Sequence, residues 1–357
     1  MVNEIDFLKE ANAFKLSAPA VQDAPLGNGH INVTRLITGA DGKKYVLQRI
    51  NDRVFTNVKL LMQNIVRVTE YLNRRKPGSS LHFLKTAGGE DYLRDESGYF
   101  RLYEYAEGIS LEKASCAAEL KTCGTAFGGF QQALKDFDAS LLGETIPRFH
   151  DTVKRVRDLE SAAEKDVCGR LRSVKPEYDF YISRKQEAGR MLNLLAEGKL
   201  KLRVTHNDTK LNNVILDPVT LSPVCVIDLD TVMPGLTGND FGDCIRSGAS
   251  TAAEDEKDVS KVSLDLELYR AFAGGFLGSC KEALTETEIK TLPWGAYLMT
   301  YECGARFLTD YLSGDTYFHT AYAEHNLVRA RTQMKLVADT EDKMNEIERI
   351  ITQEAEA

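Results

Sequence analysis

The run His206–Asn213 constrains this chain of 357 residues more than any other feature. It reads His-Asn-Asp-Thr-Lys-Leu-Asn-Asn, or H-x-D-x-x-x-x-N as a pattern. An apolar β-like run, Val214-Ile215-Leu216, follows at once, and Asp217-Pro218 then marks a turn. A second β-like run ends in Val226-Ile227-Asp228. The segment therefore predicts a short polar loop followed by a hairpin, with a polar residue at each outer end of the hairpin.

Three polar positions in this segment match what phosphoryl transfer from a nucleoside triphosphate requires. One carboxylate must accept the proton of the attacking hydroxyl, and oxygen ligands must hold the magnesium ions that bridge the phosphates. We predict Asp208 as the base and Asn213 and Asp228 as metal ligands, because pairing of the two strands would bring the ligands together. Asp and Asn are also common turn residues, but three at this spacing beside apolar runs favour the functional interpretation. His206 is expected to hold the loop by hydrogen bonds.

The composition limits the class of protein. Hydrophobic residues make up 43% and charged residues 27% of the chain, as in ordinary globular proteins. A net charge of −8 disfavours a nucleic-acid binder, which would carry a basic patch. No apolar stretch approaches the roughly 18 residues of a membrane helix, and the acidic start does not resemble a signal peptide. The seven scattered cysteines predict free thiols without a zinc site. We expect a cytoplasmic protein with small-molecule ligands; the oligomeric state stays open.

The two parts of the chain differ in periodicity. Residues 1–106 are mainly strand-like. Two β-like runs, Ile31–Thr38 and Lys43–Ile50, are joined by a turn at residues 39–42, and a hairpin surrounds the turn at residues 95–98. The region also contains one helix. That helix has an apolar face of Val58, Leu61, Met62, Ile65, Thr69 and Leu72. Residues 107–357 are mainly helical: helical patterns cover a stripe from Cys116 to Phe137, Tyr178–Leu195, Leu264–Phe276, Pro293–Tyr311 and a terminal helix over Glu324–Ile351. Asp240 and Asp243 are expected to cap a helix. The predicted class is α+β, with a small β-rich domain and a large helical domain that form a cleft.

Several segments are similar to those of N-acetylhexosamine 1-kinases. These belong to the protein-kinase-like superfamily of aminoglycoside phosphotransferases, choline kinases and bacterial homoserine kinases. The matching segments occur in the same order over nearly the whole chain: Pro25–Asn32, Arg203–Asn213, Ile227–Thr231, Asp240–Arg246, Glu302–Leu308, Tyr317 and Glu324–Arg329. The resemblance implies a two-lobed protein-kinase-like fold. It also implies transfer of phosphate from ATP, with Mg²⁺, to the anomeric hydroxyl of N-acetylglucosamine or N-acetylgalactosamine, which gives the sugar 1-phosphate.

The resemblance also implies an ATP site in the first hundred residues. Gly27, Asn28 and Gly29 precede a strand, where glycines would let backbone N–H groups approach phosphates. The third glycine of the protein-kinase loop is absent, and a lone G-x-G is often only a turn. Gln48 stands where protein kinases carry a lysine for the α- and β-phosphates. Glu104 and Tyr105 end the last strand of this region and correspond to the hinge, which contacts adenine through main-chain groups.

The sugar site implied by the resemblance consists of His30, Arg306 and Tyr317 together with the base Asp208. Asp230 lies two residues after Asp228, so on a strand both would face the same side. It is expected either to bind a sugar hydroxyl or the metal shell, or to be a structural carboxylate that caps the following loop. Arg306 and Tyr317 offer planar polar groups that can orient hydroxyl and acetamido groups.

Two other functions stay open. The same machinery could act on homoserine, choline or an aminoglycoside, since an acidic protein is compatible with a cationic acceptor. A nucleotide-binding pseudokinase is the alternative without catalysis. Pseudokinases usually lack the base or a metal ligand, and Asp208, Asn213 and Asp228 are all present.

Overall fold

The computed structural model describes residues 5–27 and 31–357, and it confirms the α+β class. The strands are β1 Ala20–Pro25, β2 Val33–Gly39, β3 Lys44–Ile50, β4 Phe83–Leu84, β5 Leu93–Asp95, β6 Gly98–Glu104, β7 Arg203–Thr205, β8 Val214–Leu216, β9 Pro223–Val226 and β10 Met233–Gly235. The α-helices are α1 Phe7–Asn12, α2 Val58–Arg75, α3 Ala117–Ala133, α4 Thr152–Lys165, α5 Lys175–Ser183, α6 Arg190–Ala196, α7 Thr237–Gly248, α8 Leu266–Cys280, α9 Glu286–Leu312, α10 His325–Asp342 and α11 Met344–Glu356.

The chain divides into two units. The first contains the described residues up to Ile109, together with Ser140–Pro147 and Ile215–Met233. The second contains Ser110–Ala139, Arg148–Val214 and Pro234–Ala357. The domain predicted over residues 1–106 therefore lies in the first unit, which also contains two later segments of the chain. Within the described residues, no helix combines the length and apolar character needed to cross a membrane.

The first unit is built on an antiparallel sheet with the strand order β1-β2-β3-β6-β4, and β5 also pairs with β6. Side chains alternate along β3, because successive residues of a strand point to opposite faces. Tyr45 and Leu47 pack in one apolar core, whereas Val46 packs in another with Tyr103 of β6. The predicted apolar face of α2 is buried, and α2 ends at Arg75 because the proline at 77 disfavours a helical residue before it.

Within the first unit, Asn64 of α2 binds both of the later segments, Ser140–Pro147 and Ile215–Met233. Its side chain is fully buried. The Nδ2 group donates to the Gly143 carbonyl at 2.7 Å and to the Val232 carbonyl at 2.9 Å, and Oδ1 accepts from the Gly143 amide at 3.1 Å. A fully paired buried amide of this kind fixes the backbone that it contacts. The segment that carries Asp228 is thereby held to α2.

The second unit packs its helices around α9, which contacts α4, α7, α10 and α11. Thr285 and Glu288 form a capping box at the start of α9. Gly242 of α7 faces the backbone of Gly295 of α9 so closely that an added Cβ would collide with the Gly295 carbonyl. This glycine contact sets the position of α7, which becomes important for the candidate site.

Three expectations about the helices are wrong in detail. The pattern over Tyr178–Leu195 is two helices, α5 and α6, because five consecutive polar residues at 183–187 interrupt the apolar stripe. The tail is also two helices, α10 and α11, with a break at Lys343. Cys116 does not belong to the buried stripe of α3, since it precedes the helix and is exposed.

Candidate active site

Asp208 lies in the loop between β7 and β8, next to a cation and an amide. The Lys210 Nζ atom is 2.7 Å from Asp208 Oδ1. The Asn213 Nδ2 atom donates to the Asp208 carbonyl at 2.8 Å and to Oδ2 at 3.2 Å. The Asp208 side chain keeps 26% of its surface exposed, and that of Lys210 keeps 48%. The predicted base is therefore accessible and paired, and it lies beside one of the two predicted metal ligands.

The surroundings of Asp208 keep its carboxylate ionised. Burial raises the pKa, but the charge and hydrogen bond of Lys210, the neighbouring His206 and the Asn213 amide outweigh burial and hold the pKa of Asp208 below its ordinary value. Burial likewise opposes the charge of Lys210, yet Asp208 and Asp243 raise the pKa of that lysine. At neutral pH the pair is a carboxylate and an ammonium, and a carboxylate is the form that can accept a proton.

Helix α7 holds this loop through two buried carboxylates. Asp240 Oδ2 accepts from the His206 amide at 2.9 Å, and Oδ1 accepts from the Asn207 amide at 2.7 Å. Asp243 Oδ2 accepts from the Thr209 amide at 2.9 Å. The expectation that Asp240 and Asp243 cap their own helix is wrong, because the N-cap is Leu236 and has no side-chain bond. Their oxygens instead fix the backbone on both sides of Asp208.

His206 has the supporting position that the sequence predicted. Its side chain is fully buried, and its Nδ1 atom accepts from the Asp208 amide at 3.2 Å. The rings of Phe127 and Phe130 on α3 contact the imidazole edge-on, with centroid distances of 5.6 and 6.1 Å. The residue is thus enclosed by aromatic groups and oriented by the loop that it holds.

The two predicted metal ligands flank the β8–β9 hairpin. Asn213 ends a short 3₁₀ turn, Leu211–Asn213, directly before β8, and Asp228 follows β9 by two residues. The strands β8 and β9 are paired, as predicted. The Asn213 amide nitrogen donates to Asp208, so its side-chain oxygen is the atom that could bind a metal. Asp228 is exposed and has a left-handed backbone, with φ of 56°. Asn213 belongs to the second unit and Asp228 to the first.

An oxygen-only donor set of this kind fits Mg²⁺. Magnesium takes one or two protein oxygens and completes its shell with water and phosphate oxygens. Within residues 5–27 and 31–357, no three His, Cys, Asp or Glu side chains form a metal cluster. An amide oxygen and one carboxylate are the kind of ligands that a metal arriving with phosphates would need.

Asp230 does not share the environment of Asp228. Residues Leu229–Thr231 form a 3₁₀ turn, so the expectation of a common strand face is wrong. Asp230 is buried, forms an ion pair with the buried Arg101 of β6, and accepts from Asn32 Nδ2 at 2.6 Å. Arg101 Nε also donates to Gln48 Oε1 at 2.9 Å. These contacts favour the structural role for Asp230, and they place Gln48 within a hydrogen-bonded network of the first unit.

The remaining predicted ATP residues are only partly described. Gly27 is exposed with φ of 70°, a conformation that glycine adopts at no steric cost, whereas Asn28, Gly29 and His30 lie outside the described residues. The amides of Glu104 and Tyr105 donate to the carbonyls of His82 and Lys44. Both residues line a cavity of about 420 Å³ in the first unit, whose other lining residues are Asn73, Pro77, Gly78, Ser80, Leu81, His82, Ala106, Val224 and Cys225.

A second feature of the first unit is a set of half-buried apolar side chains. Leu26, Tyr105, Ile215 and Ile227 pack against a buried cluster that contains Val46 but stay partly exposed. Ile215 lies in β8, and the other three directly follow β1, β6 and β9. Partly exposed apolar side chains around one buried cluster form a surface suited to a flat apolar group.

Arg306 and Tyr317 lie together in the second unit. The guanidinium carbon of Arg306 is 5.8 Å from the ring centres of Phe149 and Tyr317 and 5.4 Å from that of Phe318. Tyr317 is 68% exposed. Asp310, one turn after Arg306 on α9, accepts from the amides at 316, 317 and 318 at 2.8–2.9 Å. One helix thus carries the arginine and holds the loop that carries the tyrosine.

Comparison with known protein families identifies the family of this chain. Residues 23–274 match the family described as Phosphotransferase enzyme family, and this stretch covers more than half of the chain. The chain belongs to this family. It is a small-molecule phosphotransferase.

Solved structures agree with this assignment at the level of the fold. An aminoglycoside phosphotransferase from Alicyclobacillus acidocaldarius has a TM-score of 0.64 at 14% identity, over 98% of this phosphotransferase and 96% of that chain. An amicoumacin kinase solved with AMP-PNP and Ca²⁺ has a TM-score of 0.63 at 18% identity, over 93% of each chain. A microcompartment-associated aminopropanol kinase has a TM-score of 0.60 at 13% identity, over 96% and 97%. Their shared kinase-like fold is the fold of this phosphotransferase.

Sequence reasoning missed several residues of the phosphotransferase site. Arg101 is a charge in the middle of the otherwise apolar run of β6, which was a usable signal of a buried partner. Asp240 and Asp243 alternate with Phe241, Gly242 and Cys244, residues that are usually buried. Carboxylates in such a run were a usable signal of buried hydrogen-bond acceptors. His150 gave no signal, because it lies in no motif and its partner Glu302, which begins a matching segment, is 152 positions away.

Proposed function

We propose that this phosphotransferase is an ATP- and Mg²⁺-dependent kinase that phosphorylates the anomeric hydroxyl of an N-acetylhexosamine. The main support for this acceptor is the positive charge around Arg306. The sequence resemblance to N-acetylhexosamine 1-kinases supports the same choice independently. The reaction transfers the γ-phosphoryl group of ATP and gives the sugar 1-phosphate and ADP.

Asp208 has the properties that the proposed base needs. Its carboxylate is ionised, partly exposed and held by Lys210 and Asn213. In the proposed step, the anomeric hydroxyl loses its proton to Asp208 while its oxygen forms the new bond to the γ-phosphorus. The bond from that phosphorus to the β,γ-bridging oxygen breaks, and ADP leaves with the electron pair. Lys210, 2.7 Å from Asp208 Oδ1, keeps a positive charge beside the proposed base.

The adenine assignment uses residues of the first unit, and the metal assignment uses Asn213 and Asp228. We assign adenine to the half-buried apolar surface of Leu26, Tyr105, Ile215 and Ile227. Since the amides of Glu104 and Tyr105 already donate within the sheet, hinge contacts to adenine would use their carbonyl oxygens or the next amide, that of Ala106. Asn213 and Asp228 would hold Mg²⁺, which neutralises negative charge on the phosphates when bound.

The charge near Arg306 supports a neutral acceptor. Arg155 lies close to it: burial and the charge of Arg306 lower the pKa of Arg155, although Asp158 lies 3.9 Å from its guanidinium and opposes that shift. The neighbouring carboxylate of Glu302 is buried and paired with His150. A choline, ethanolamine or aminoglycoside acceptor would therefore meet like charge, which is unfavourable. An N-acetylhexosamine is neutral, and its hydroxyl and acetamido oxygens can accept hydrogen bonds from a guanidinium.

A panel of acceptors tests this proposal. ADP release would be measured with Mg²⁺–ATP and N-acetylglucosamine, N-acetylgalactosamine, homoserine, choline, ethanolamine or an aminoglycoside. We expect the two N-acetylhexosamines to have the highest kcat/KM, and Arg306→Gln to raise the sugar KM about ten- to hundredfold while the ATP KM changes little. Turnover confined to the amines, or an equal rise of both KM values in Arg306→Gln, would refute the sugar assignment.

A further inference from the structure

The residue directly before the proposed base has a backbone conformation that must be held in place. Asn207 has φ of 63°, in the left-handed region that residues other than glycine rarely adopt. Its amide donates to Asp240 Oδ1 at 2.7 Å, and its Nδ2 group donates to the Thr205 carbonyl at 3.3 Å. Its carbonyl oxygen lies 3.3 Å from His150 Nε2. The peptide that joins Asn207 to Asp208 is therefore oriented on its carbonyl side by one imidazole.

His150 has acceptors on both ring nitrogens. Nδ1 lies 3.1 Å from Glu302 Oε1, and Nε2 faces the Asn207 carbonyl. An ionised carboxylate and a carbonyl oxygen only accept, so both contacts are hydrogen bonds only if both nitrogens carry a proton. Glu302 is 2% exposed, and its second oxygen accepts from Thr152 Oγ1 at 2.7 Å. The geometry is that of an imidazolium, 11% exposed, between a carboxylate and a backbone carbonyl.

We propose that His150 is a positioning residue of the phosphotransfer reaction, whose imidazolium orients the Asn207–Asp208 peptide and with it the base. This rests on the proposed function only in that Asp208 is the base. Phe149, directly before His150, has its ring under the Arg306 guanidinium. The two-residue segment Phe149-His150 therefore contacts both the catalytic loop and the proposed acceptor surface.

The groups around His150 favour its charged form. Burial lowers the pKa of His150, but the hydrogen bond and charge of Glu302 on α9, the charge of Asp243 on α7 and the Asn207 carbonyl outweigh burial and raise it. Burial raises the pKa of Glu302, and the bond and charge of His150, with Arg306 and Thr152, bring it below its ordinary value. A raised pKa means that both hydrogen bonds exist below the folded-state pKa and that one is lost as the pH rises through it.

The test compares His150→Gln and Glu302→Gln with Glu177→Gln. Glu177 is a matched control, because it is also a buried glutamate in the second unit, paired with Arg331 at 2.7 Å. Each variant would be assayed for kcat, both KM values, the pH dependence of kcat and stability in urea. We expect His150→Gln to lower kcat about 10- to 100-fold with the ATP KM little changed, as misorientation of a catalytic group does, and to abolish the alkaline decline of kcat. Glu302→Gln should move that decline to lower pH, since it removes the charge that keeps the proton on His150.

Two results would overturn the positioning role. One is a His150→Gln enzyme with the kcat and the pH profile of the wild type. The other is a kcat that falls in all three variants in proportion to their loss of stability, which would make the His150–Glu302 pair purely structural. The assay uses whichever acceptor the wild type phosphorylates best, or hydrolysis of ATP where none reacts. A wrong sugar assignment therefore leaves this test intact.

Discussion

At the scale of single residues, the environment of Asp208 explains how a carboxylate can be held firmly and still react. Its oxygens contact Lys210 and Asn213, while a quarter of its side chain stays exposed. The supporting contacts come from groups that bond to the backbone around it, mainly Asp240 and Asp243. The loop can therefore be rigid without blocking the side chain itself.

Replacement of the base separates its charge from its structural contacts. Asp208→Asn keeps an oxygen that can accept from Asn213 but removes the proton acceptor. We expect kcat to fall about 10²-fold or more, with the ATP KM little changed. Steady-state kinetics would be compared with Asp179→Asn, which alters an exposed carboxylate in the same unit. A kcat near that of the wild type in Asp208→Asn would contradict the assignment of the base.

At the scale of elements, α7 is the support of the catalytic loop, and its glycine contact with α9 sets where that support lies. Gly242 stands between Asp240 and Asp243 and faces the Gly295 backbone. Backbone cannot move aside as a flexible side chain can. The distance between α7 and α9 therefore determines where the carboxylates of Asp240 and Asp243 lie relative to the loop.

A single methyl group tests this arrangement. Gly242→Ala should destabilise the protein by about 1–3 kcal/mol in urea unfolding, because overpacking must push α7 from α9, and kcat should fall as the loop loses its support. Gly129→Ala, on α3, is the control: nothing lies within 4 Å of its added Cβ. That change should be neutral or stabilise by up to about 1 kcal/mol, the helix preference of alanine. Equal stability of the two variants would show that the close contact is unimportant.

The elements also show how much of the structure can be predicted from the sequence. The strands β2 and β3 were predicted from two β-like runs around a turn, and α2 was predicted from its single apolar face. It also predicted the β8–β9 hairpin beside the catalytic loop. It could not predict that Asp240 and Asp243 bond the loop, because a local pattern favours a local cap and their partners lie 31–34 positions away. The expectation that Asp230 shares a strand face with Asp228 was wrong for a similar reason. Its partner Arg101 is 129 positions away, and residues 229–231 form a tight turn where a strand was assumed.

At the scale of the whole molecule, the proposed reaction draws on both units. The groups assigned to adenine, together with Asp228, belong to the first unit. The base Asp208, the ligand Asn213 and the acceptor residue Arg306 belong to the second. The family establishes phosphotransfer to a small molecule, and the neighbouring structures share the fold. The choice of a neutral sugar over an amine is our proposal, and it rests on the arginines around Arg306.

The most direct measurement of the central claim is the position of the phosphate in the product. The wild-type protein would be incubated with ATP, Mg²⁺ and N-acetylglucosamine or N-acetylgalactosamine, with Asp208→Asn as the blank, and the product read by phosphorus NMR. We predict a sugar 1-phosphate whose phosphorus couples to the anomeric proton, formed by the wild type and not by the blank. Phosphate on the 6-hydroxyl, or phosphorylation of choline or homoserine but of neither sugar, would contradict the account.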